Sequence, residues 1–242
     1  MDDRTARTGF ARHLLNSVAR PALRVWLQSA EISDPRLPRP EEPHDLEAAA
    51  HHSDRVLLVG NGAAVGYGVL NHDLSLAGNL GRLLTTETGR ATYVTVVSDG
   101  DMTAAGALDA LRSADLEPYD AIVVTVGINE ALRLSSGARW QRQIEHLVDF
   151  VLSPAVPKLH LFFVGIPPLD SLTAVPRWVG MIADRHSREL NARLAGVCDR
   201  HEGVVFVPFH PRPAPDVSRH RSTETYREWA QEIVDPIAAR LH

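Results

Sequence analysis

The chain has 242 residues, of which 44% are hydrophobic and 23% are charged, and its formal charge is −5 at pH 7. This composition is typical of a folded globular protein and excludes wholesale disorder, collagen-like structure and coiled coils. The acidic balance argues against general nucleic-acid binding, and no apolar run is long enough to cross a membrane. We therefore expect no nucleic-acid partner and no stable membrane insertion. A cytoplasmic location is the default expectation, because no apolar leader segment follows residues 1–7.

Cysteine and histidine give little indication of a metal site. The single cysteine, Cys198, excludes an intramolecular disulfide and a cysteine-based metal cage. Cys198 lies at helical spacing with Leu190 and Leu194, so we predict that it is a buried packing residue. The chain has 12 histidines but no His-Glu-x-x-His spacing. We expect neither a metal nor a cofactor.

The first 53 residues differ in pattern from the rest of the chain. Residues 1–32 combine apolar positions at helical spacing with interspersed arginines, which predicts an amphipathic helical arm that Pro21 breaks or kinks. Such an arm could lie on a membrane surface, but packing on its own domain or on a second copy in a homo-oligomer is the favoured interpretation. Residues 33–53 begin with four prolines in eleven residues, which predicts a semi-rigid linker.

From residue 54 to residue 242, apolar strand segments alternate with helical segments. Strands without polar alternation that are separated by helices are typical of a parallel sheet covered on both faces. The sequence predicts a single doubly wound, flavodoxin-like, three-layer α/β domain with about five parallel strands, and ligands bind beyond the carboxyl ends of such strands. The predicted strands are 55–59, 93–97, 121–126, 159–164 and 204–207, and the predicted helices are 74–88, 103–113, 140–152, 178–201 and 223–241.

Glycine-rich or polar segments follow the predicted strands. They are Gly60–Gly68 after the first strand, Ser98–Thr103 after the second and Gly127–Glu130 after the third, and the loop after the fifth strand contains Asp216 and His220. The first loop could hold a phosphate on its backbone N–H groups. A nucleotide-binding domain is nevertheless disfavoured, because the loop lacks a Gly-Lys-Ser/Thr ending and no acidic residue ends the second strand to bind a ribose.

In this order, the segments resemble the blocks of the SGNH (GDSL) hydrolase family of esterases, lipases and acyltransferases. The resemblance covers about residues 54–241 and includes the short spacer before Gly66-Tyr-Gly68. In that family the first block reads Gly-Asp-Ser, and the serine is the nucleophile. The present chain has Asn61 in place of the aspartate and Gly62 in place of the serine.

The resemblance also implies roles for later residues. Gly100 and Asn129 match two donors of the family's oxyanion hole, Glu130 replaces an aspartate, and His220 matches the catalytic histidine. The triad acid normally stands three residues before this histidine, where the chain has a valine. Asp216, one residue further away, is the candidate acid.

The ligand implied by the resemblance is a small-molecule ester or acyl compound. Asn61, Ser98, Asp99 and Glu130 are expected to contact it. Acyl transfer through a covalent intermediate needs a nucleophile, a base and oxyanion donors, and Gly62 cannot supply the nucleophile. Loss of a triad nucleophile lowers turnover by about a millionfold.

Several functional interpretations stay open at this point. Ser98 could replace the missing nucleophile, although a hydroxyl at a strand end is more often a cap or turn partner. His220 could activate water directly, which would give an ester or acyl hydrolase or acyltransferase with a reduced site. Alternatively, the chain is a catalytically inactive pseudoenzyme that binds an ester, acyl group or sugar, or interacts with another protein, on the same fold.

Overall fold

One parallel sheet organises the protein. The computed structural model describes residues 40, 53–169, 177–211 and 222–241. Its five strands have the spatial order β2-β1-β3-β4-β5, and every neighbouring pair is parallel. This is the flavodoxin-like doubly wound order, so the predicted fold class is confirmed. The strands are β1 (Asp54–Gly60), β2 (Thr92–Ser98), β3 (Ala121–Thr125), β4 (His160–Val164) and β5 (Val204–Val207).

Six α-helices connect or follow the strands within the described residues. Five of them lie where helices are predicted, whereas the short helix α3 is not predicted by the sequence. The turn after β1 also contains two short 3₁₀ segments, Gly62–Val65 and His72–Leu74. The helices are α1 (Leu76–Thr88), α2 (Ala104–Ser113), α3 (Ile128–Leu132), α4 (Gly137–Val151), α5 (Arg177–Cys198) and α6 (Thr223–Leu241).

The helices cover both faces of the sheet. Val56 and Leu58 of β1 belong to one buried cluster with α1 and α6. Leu57 and Val59, which point to the other face, belong to a second cluster with α2, α4 and α5. Because both faces of a strand are buried, its sequence is continuously apolar rather than alternating.

The predicted arm and linker, 1–32 and 33–53, lie outside the described residues except for Pro40 and Ser53. Their domain boundaries therefore stay predictions. Within the described part of the chain, no helix is long and apolar enough to cross a membrane.

Cys198 is buried at the end of α5, as its helical spacing predicts. Burial raises the pKa of its thiol to about 12. The thiol is therefore protonated at neutral pH and acts as a small apolar side chain.

Candidate functional site

A pocket opens at the carboxyl edge of the sheet, beyond the ends of β1, β3, β4 and β5. It contains about 450 Å³ of space between protein atoms, part of which is open to solvent. Most of the described side chains that line it are apolar, and the lining residues also include the polar residues Asn61 and Thr125. The lining residues are Asn61, Ala63, Leu76, Thr125, Val126, Ile128, Val164, Gly165, Ile166, Pro167, Phe209, Trp229 and Ile233.

The turn after β1 is held against the end of β3. Gly60 has φ +150°, and a β-carbon there would lie 2.1 Å from the carbonyl oxygen of Thr125. A side chain at this position would collide with backbone, so glycine is required for the close approach. The same carbonyl accepts a hydrogen bond of 2.8 Å from the N–H of Asn61, which places Asn61 at the pocket wall.

A side chain at position 62, which the resemblance assigns to the nucleophile, would need a left-handed backbone and would meet the end of a neighbouring isoleucine side chain. Gly62 has φ +57°, a left-handed conformation that L-residues rarely adopt. A β-carbon built on Gly62 would lie 2.7 Å from Cδ1 of Ile128, the first residue of α3. The terminal methyl of this isoleucine would therefore have to move before a side chain could stand at position 62.

Two asparagine amides hold the loop between β2 and α2. Nδ2 of Asn129 donates to the carbonyl oxygens of Gly100 and Met102, at 2.9 and 3.0 Å. Nδ2 of Asn61 donates to the same Met102 oxygen at 2.7 Å. The structure thus brings together Asn61, Gly100 and Asn129, three of the predicted site residues. Because a primary amide has two N–H donors, Asn129 would have to exchange one of these bonds to stabilise an oxyanion.

Glu130 caps the start of α2. Its Oε1 accepts a hydrogen bond of 2.7 Å from the N–H of Ala104, the first residue of that helix. Glu130 is only 4% exposed, and its burial raises the pKa of the carboxyl group, against the opposing effects of the Ala104 N–H and the charge of Arg133. Glu130 is not among the residues that line the pocket, so its observed contacts are structural.

Ser98 and Asp99 also lie outside the pocket lining. Ser98 is partly exposed at the end of β2, and Asp99 is exposed beyond it. The N–H of Asp99 donates to the carbonyl oxygen of Gly60 at 3.1 Å, and its Oδ1 accepts from the N–H of Asp101 at 2.7 Å. These hydrogen bonds stabilise the loop after β2. Polar residues in turns usually have this structural role.

The predicted base and acid, His220 and Asp216, lie outside the described residues. Their catalytic roles therefore stay predictions. The described part of the chain likewise contains no group of three or more side chains that could hold a metal ion.

Sequence reasoning did not assign Ile128, Phe209 and Trp229 to the site. Trp229 is 6% exposed, as expected for a core residue of the last helix, but it also forms part of the pocket wall. Its ring packs edge-on against Phe209, with the ring centroids 5.7 Å apart. The position of Phe209, two residues after β5, is a usable signal because ligands bind beyond strand ends. No comparable sequence signal marks Trp229.

Comparisons with known proteins agree with the geometry of the fold. The lipase Lip_vut3 from a goat rumen metagenome superimposes with a TM-score of 0.60 at 11% identity, over 77% of this chain and 98% of the lipase. A family two carbohydrate esterase from Clostridium thermocellum, solved with cellohexaose, superimposes with a TM-score of 0.59 at 17% identity, over 81% of this chain and 67% of the esterase. TesA superimposes with a TM-score of 0.57 at 17% identity, over 76% of this chain and 99% of TesA. At such identities the likeness shows a shared fold.

The search of curated proteins finds no significant match to the sequence. The model of the GDSL-like lipase/acylhydrolase family, in contrast, matches residues 58–240. This match begins within β1, ends one residue before the end of α6 and includes the other four strands completely. The chain belongs to the GDSL-like lipase/acylhydrolase family.

Proposed function

We propose that this chain binds an apolar acyl or ester ligand in the pocket at the carboxyl edge of the sheet, without forming an acyl-enzyme at position 62. The observation that supports this proposal is the lack of a side chain at Gly62 together with the position of Ile128 beside it. Glycine has no hydroxyl to attack a carbonyl carbon, and Cδ1 of Ile128 stands 2.7 Å from the position of a β-carbon on residue 62. A binding role needs neither a nucleophile nor the space for one.

The walls of the pocket favour a hydrocarbon chain over a sugar. Ile128, Ile166 and Phe209 present apolar surface to the ligand. Each methylene group that moves from water into such surroundings contributes about 0.8 kcal/mol. A sugar would instead lose the water bound to its hydroxyls and find few partners, and this loss costs free energy.

Family membership favours a second candidate function, which is slow ester hydrolysis by direct attack of water. His220 would act as the base, and Gly100 and Asn129 would polarise the carbonyl group. This route dispenses with an acyl-enzyme, so the absence of a hydroxyl at position 62 does not prevent it.

One experiment distinguishes the two candidates. Binding of methyl octanoate is measured by isothermal titration calorimetry, and hydrolysis of p-nitrophenyl octanoate is measured for the unmodified protein and for His220→Ala. We expect saturable binding of methyl octanoate, with hydrolysis equal in both proteins. Hydrolysis that is lost in His220→Ala would contradict the binding proposal and support attack by water.

A pair of variants tests whether the ligand occupies this pocket. Ile128→Phe places a larger side chain at the pocket wall and should weaken binding of methyl octanoate at least tenfold. Leu152→Phe makes a similar change at an exposed residue outside the pocket and should leave binding unchanged. Equal binding by the two variants would show that the ligand binds elsewhere.

A further inference from the structure

The outer edge of β2 has no strand beside it in the part of the chain that the structure describes. β2 stands at one end of the strand order and pairs only with β1. Six of its seven residues are half-buried and one is buried, whereas all five residues of the central strand β3 are buried. The side of β2 that points away from β1 is therefore accessible to a further strand.

The backbone of β2 leaves hydrogen-bonding groups on this outer side. The N–H of Asp54 donates to the carbonyl oxygen of Ala91 at 2.8 Å, so Ala91 faces β1. Because successive residues of a strand direct their backbone groups to opposite sides, Thr92 and every second residue after it face outward. The side-chain oxygen of Thr85 in α1 accepts the N–H of Thr92 at 3.0 Å. No described residue accepts the remaining outward N–H groups of the strand, which are those of Val94, Val96 and Ser98.

β2 also lacks the features that usually protect an exposed edge strand. Such strands are commonly short, bulged, charged or interrupted by proline, which prevents pairing with another chain. Thr92–Ser98 contains no charged residue and no proline, and its register with β1 is continuous over all seven residues. The strand at the opposite edge, β5, has only four residues. β2 is therefore the edge of this sheet to which a further strand can add.

The residues of β2 match a second β2 strand that runs in the opposite direction. When Thr95 lies opposite Thr95 of the second strand, the outward backbone groups of Val94 and Val96 face each other across the pair. In the same register Tyr93 lies opposite Val97, and both residues are half-buried on one face of the sheet. Pairs of an aromatic and a β-branched side chain in this arrangement stabilise neighbouring strands. The strand is thus complementary to itself in the antiparallel orientation.

The charges at the two ends of β2 favour the same orientation. Arg90 precedes the strand, and the exposed residues Asp99 and Asp101 follow it. An antiparallel pair brings the basic end of each strand beside the acidic end of the other, whereas a parallel pair brings like charges together. An antiparallel pair also has twofold symmetry, which closes the assembly at two copies.

We propose that two copies of this chain form a dimer in which their β2 strands pair antiparallel about Thr95. The two sheets then become one continuous sheet with five strands from each copy. The lining of the pocket contains no residue of β2, so this dimer does not depend on the proposed function.

Sedimentation equilibrium of the full chain tests the dimer. We expect twice the mass of the chain at micromolar concentrations, with dissociation on dilution. Thr95→Lys places two like charges opposite each other at the symmetry axis and should raise the dissociation constant by about tenfold or more. Ala192→Lys adds the same charge to an exposed residue of α5, a helix that packs against β5 at the other edge, and should leave the dimer unchanged.

A disulfide across the symmetry axis tests the register. Opposite residues whose backbone groups point away from each other, as those of Thr95 do here, have Cα atoms about 4.5 Å apart, within the range that a disulfide spans. Thr95→Cys should therefore form a disulfide-linked dimer on mild oxidation. Val97→Cys is the matched control on the same face, because its own counterpart lies about 14 Å away, and it should not cross-link. The native Cys198 is buried and does not compete.

Three results would overturn the proposal. The first is a full chain that stays monomeric up to the highest soluble concentration. The second is a dimer that persists in folded Thr95→Lys, because such a dimer uses another surface. The third is equal cross-linking of Thr95→Cys and Val97→Cys, or cross-linking of neither. This last comparison decides the question if Thr95→Lys does not fold.

Discussion

A serine placed at position 62 must meet two requirements that glycine avoids. The first is a left-handed backbone, which costs an L-residue about 1–2 kcal/mol. The second is room for a β-carbon, and the atom in the way is the terminal methyl of Ile128. That methyl can rotate aside, but it would then stand beside the new hydroxyl. A displacement of about 1 Å in a reacting group can lower a rate about a hundredfold.

We therefore predict that Gly62→Ser/Ile128→Ala hydrolyses p-nitrophenyl octanoate faster than Gly62→Ser, by roughly a hundredfold. The reason is that the double variant supplies both the hydroxyl and the space for it. Ile128→Ala alone has no hydroxyl at position 62 and should stay at the rate of the unmodified protein. Equal rates for the single and double serine variants would show that Ile128 does not restrict this position.

Only part of this arrangement could be predicted from the sequence. The missing hydroxyl is visible as soon as Gly62 is matched to the nucleophile. The role of Ile128 is not visible, because it depends on the pairing of Gly60 with Thr125 across β1 and β3 and on the start of α3. The sequence shows that an apolar residue stands between Gly127 and Asn129, but it does not indicate which residue this side chain contacts.

At the scale of elements, the start of α2 depends on a carboxyl group from another helix. Glu130 in α3 accepts the N–H of Ala104, one of the donors that a helix leaves unpaired at its first turn. Burial raises the pKa of Glu130 above its ordinary value of 4.5. The folded protein therefore holds this proton more tightly than the unfolded chain does.

This difference in pKa between the folded and unfolded states determines whether stability rises or falls with pH. As pH rises through 4.5, the unfolded chain loses the Glu130 proton first, so this group's contribution to stability falls until the pH passes the raised pKa of the folded state. Glu130→Gln cannot titrate. We predict that its free energy of unfolding, relative to the unmodified protein, increases as pH rises from 4.5 and then becomes constant, as measured by urea denaturation at a series of pH values.

Glu130→Ala is the control for the hydrogen bond itself. It also cannot titrate, but it leaves the Ala104 N–H without its acceptor and should be less stable than Glu130→Gln by about 1 kcal/mol at every pH. A stability difference between Glu130→Gln and the unmodified protein that does not change from pH 4 to pH 7 would contradict the raised pKa.

The larger elements follow from sequence patterns, whereas α3 does not. The five strands and five long helices have apolar runs or helical periodicity that mark them within a few residues. Ile128–Leu132 is only five residues long, too short to show a period or to be stable alone. Its structure comes from its position after β3 and from its contacts with the β2–α2 loop, which are tertiary interactions.

At the scale of the whole molecule, Arg90 links the start of β1 to the end of α6, at the edge of the sheet where the strands begin. Arg90 follows α1, and its guanidinium lies 2.9 Å from Oδ1 of Asp54, at the start of β1. The same guanidinium donates to the carbonyl oxygen of Leu241, at the end of α6. The composition and spacing of the sequence do not indicate this three-way contact, because its members are far apart in the chain and meet only when the layers assemble.

We predict that Arg90→Gln lowers the free energy of unfolding by about 1–2 kcal/mol. The side chain of Asp54 is only 10% exposed and would lose its charged partner, whereas the partial exposure of Arg90 moderates the cost. Arg227→Gln is the matched control, because Arg227 pairs with Glu224 at 3.1 Å on the surface of α6, where both side chains are more than half exposed. An exposed pair of this kind contributes little, so this variant should stay within about 0.5 kcal/mol of the unmodified protein in urea denaturation. Equal losses in the two variants would mean that the contact of Arg90 with Asp54 and Leu241 stabilises the fold no more than an ordinary surface ion pair.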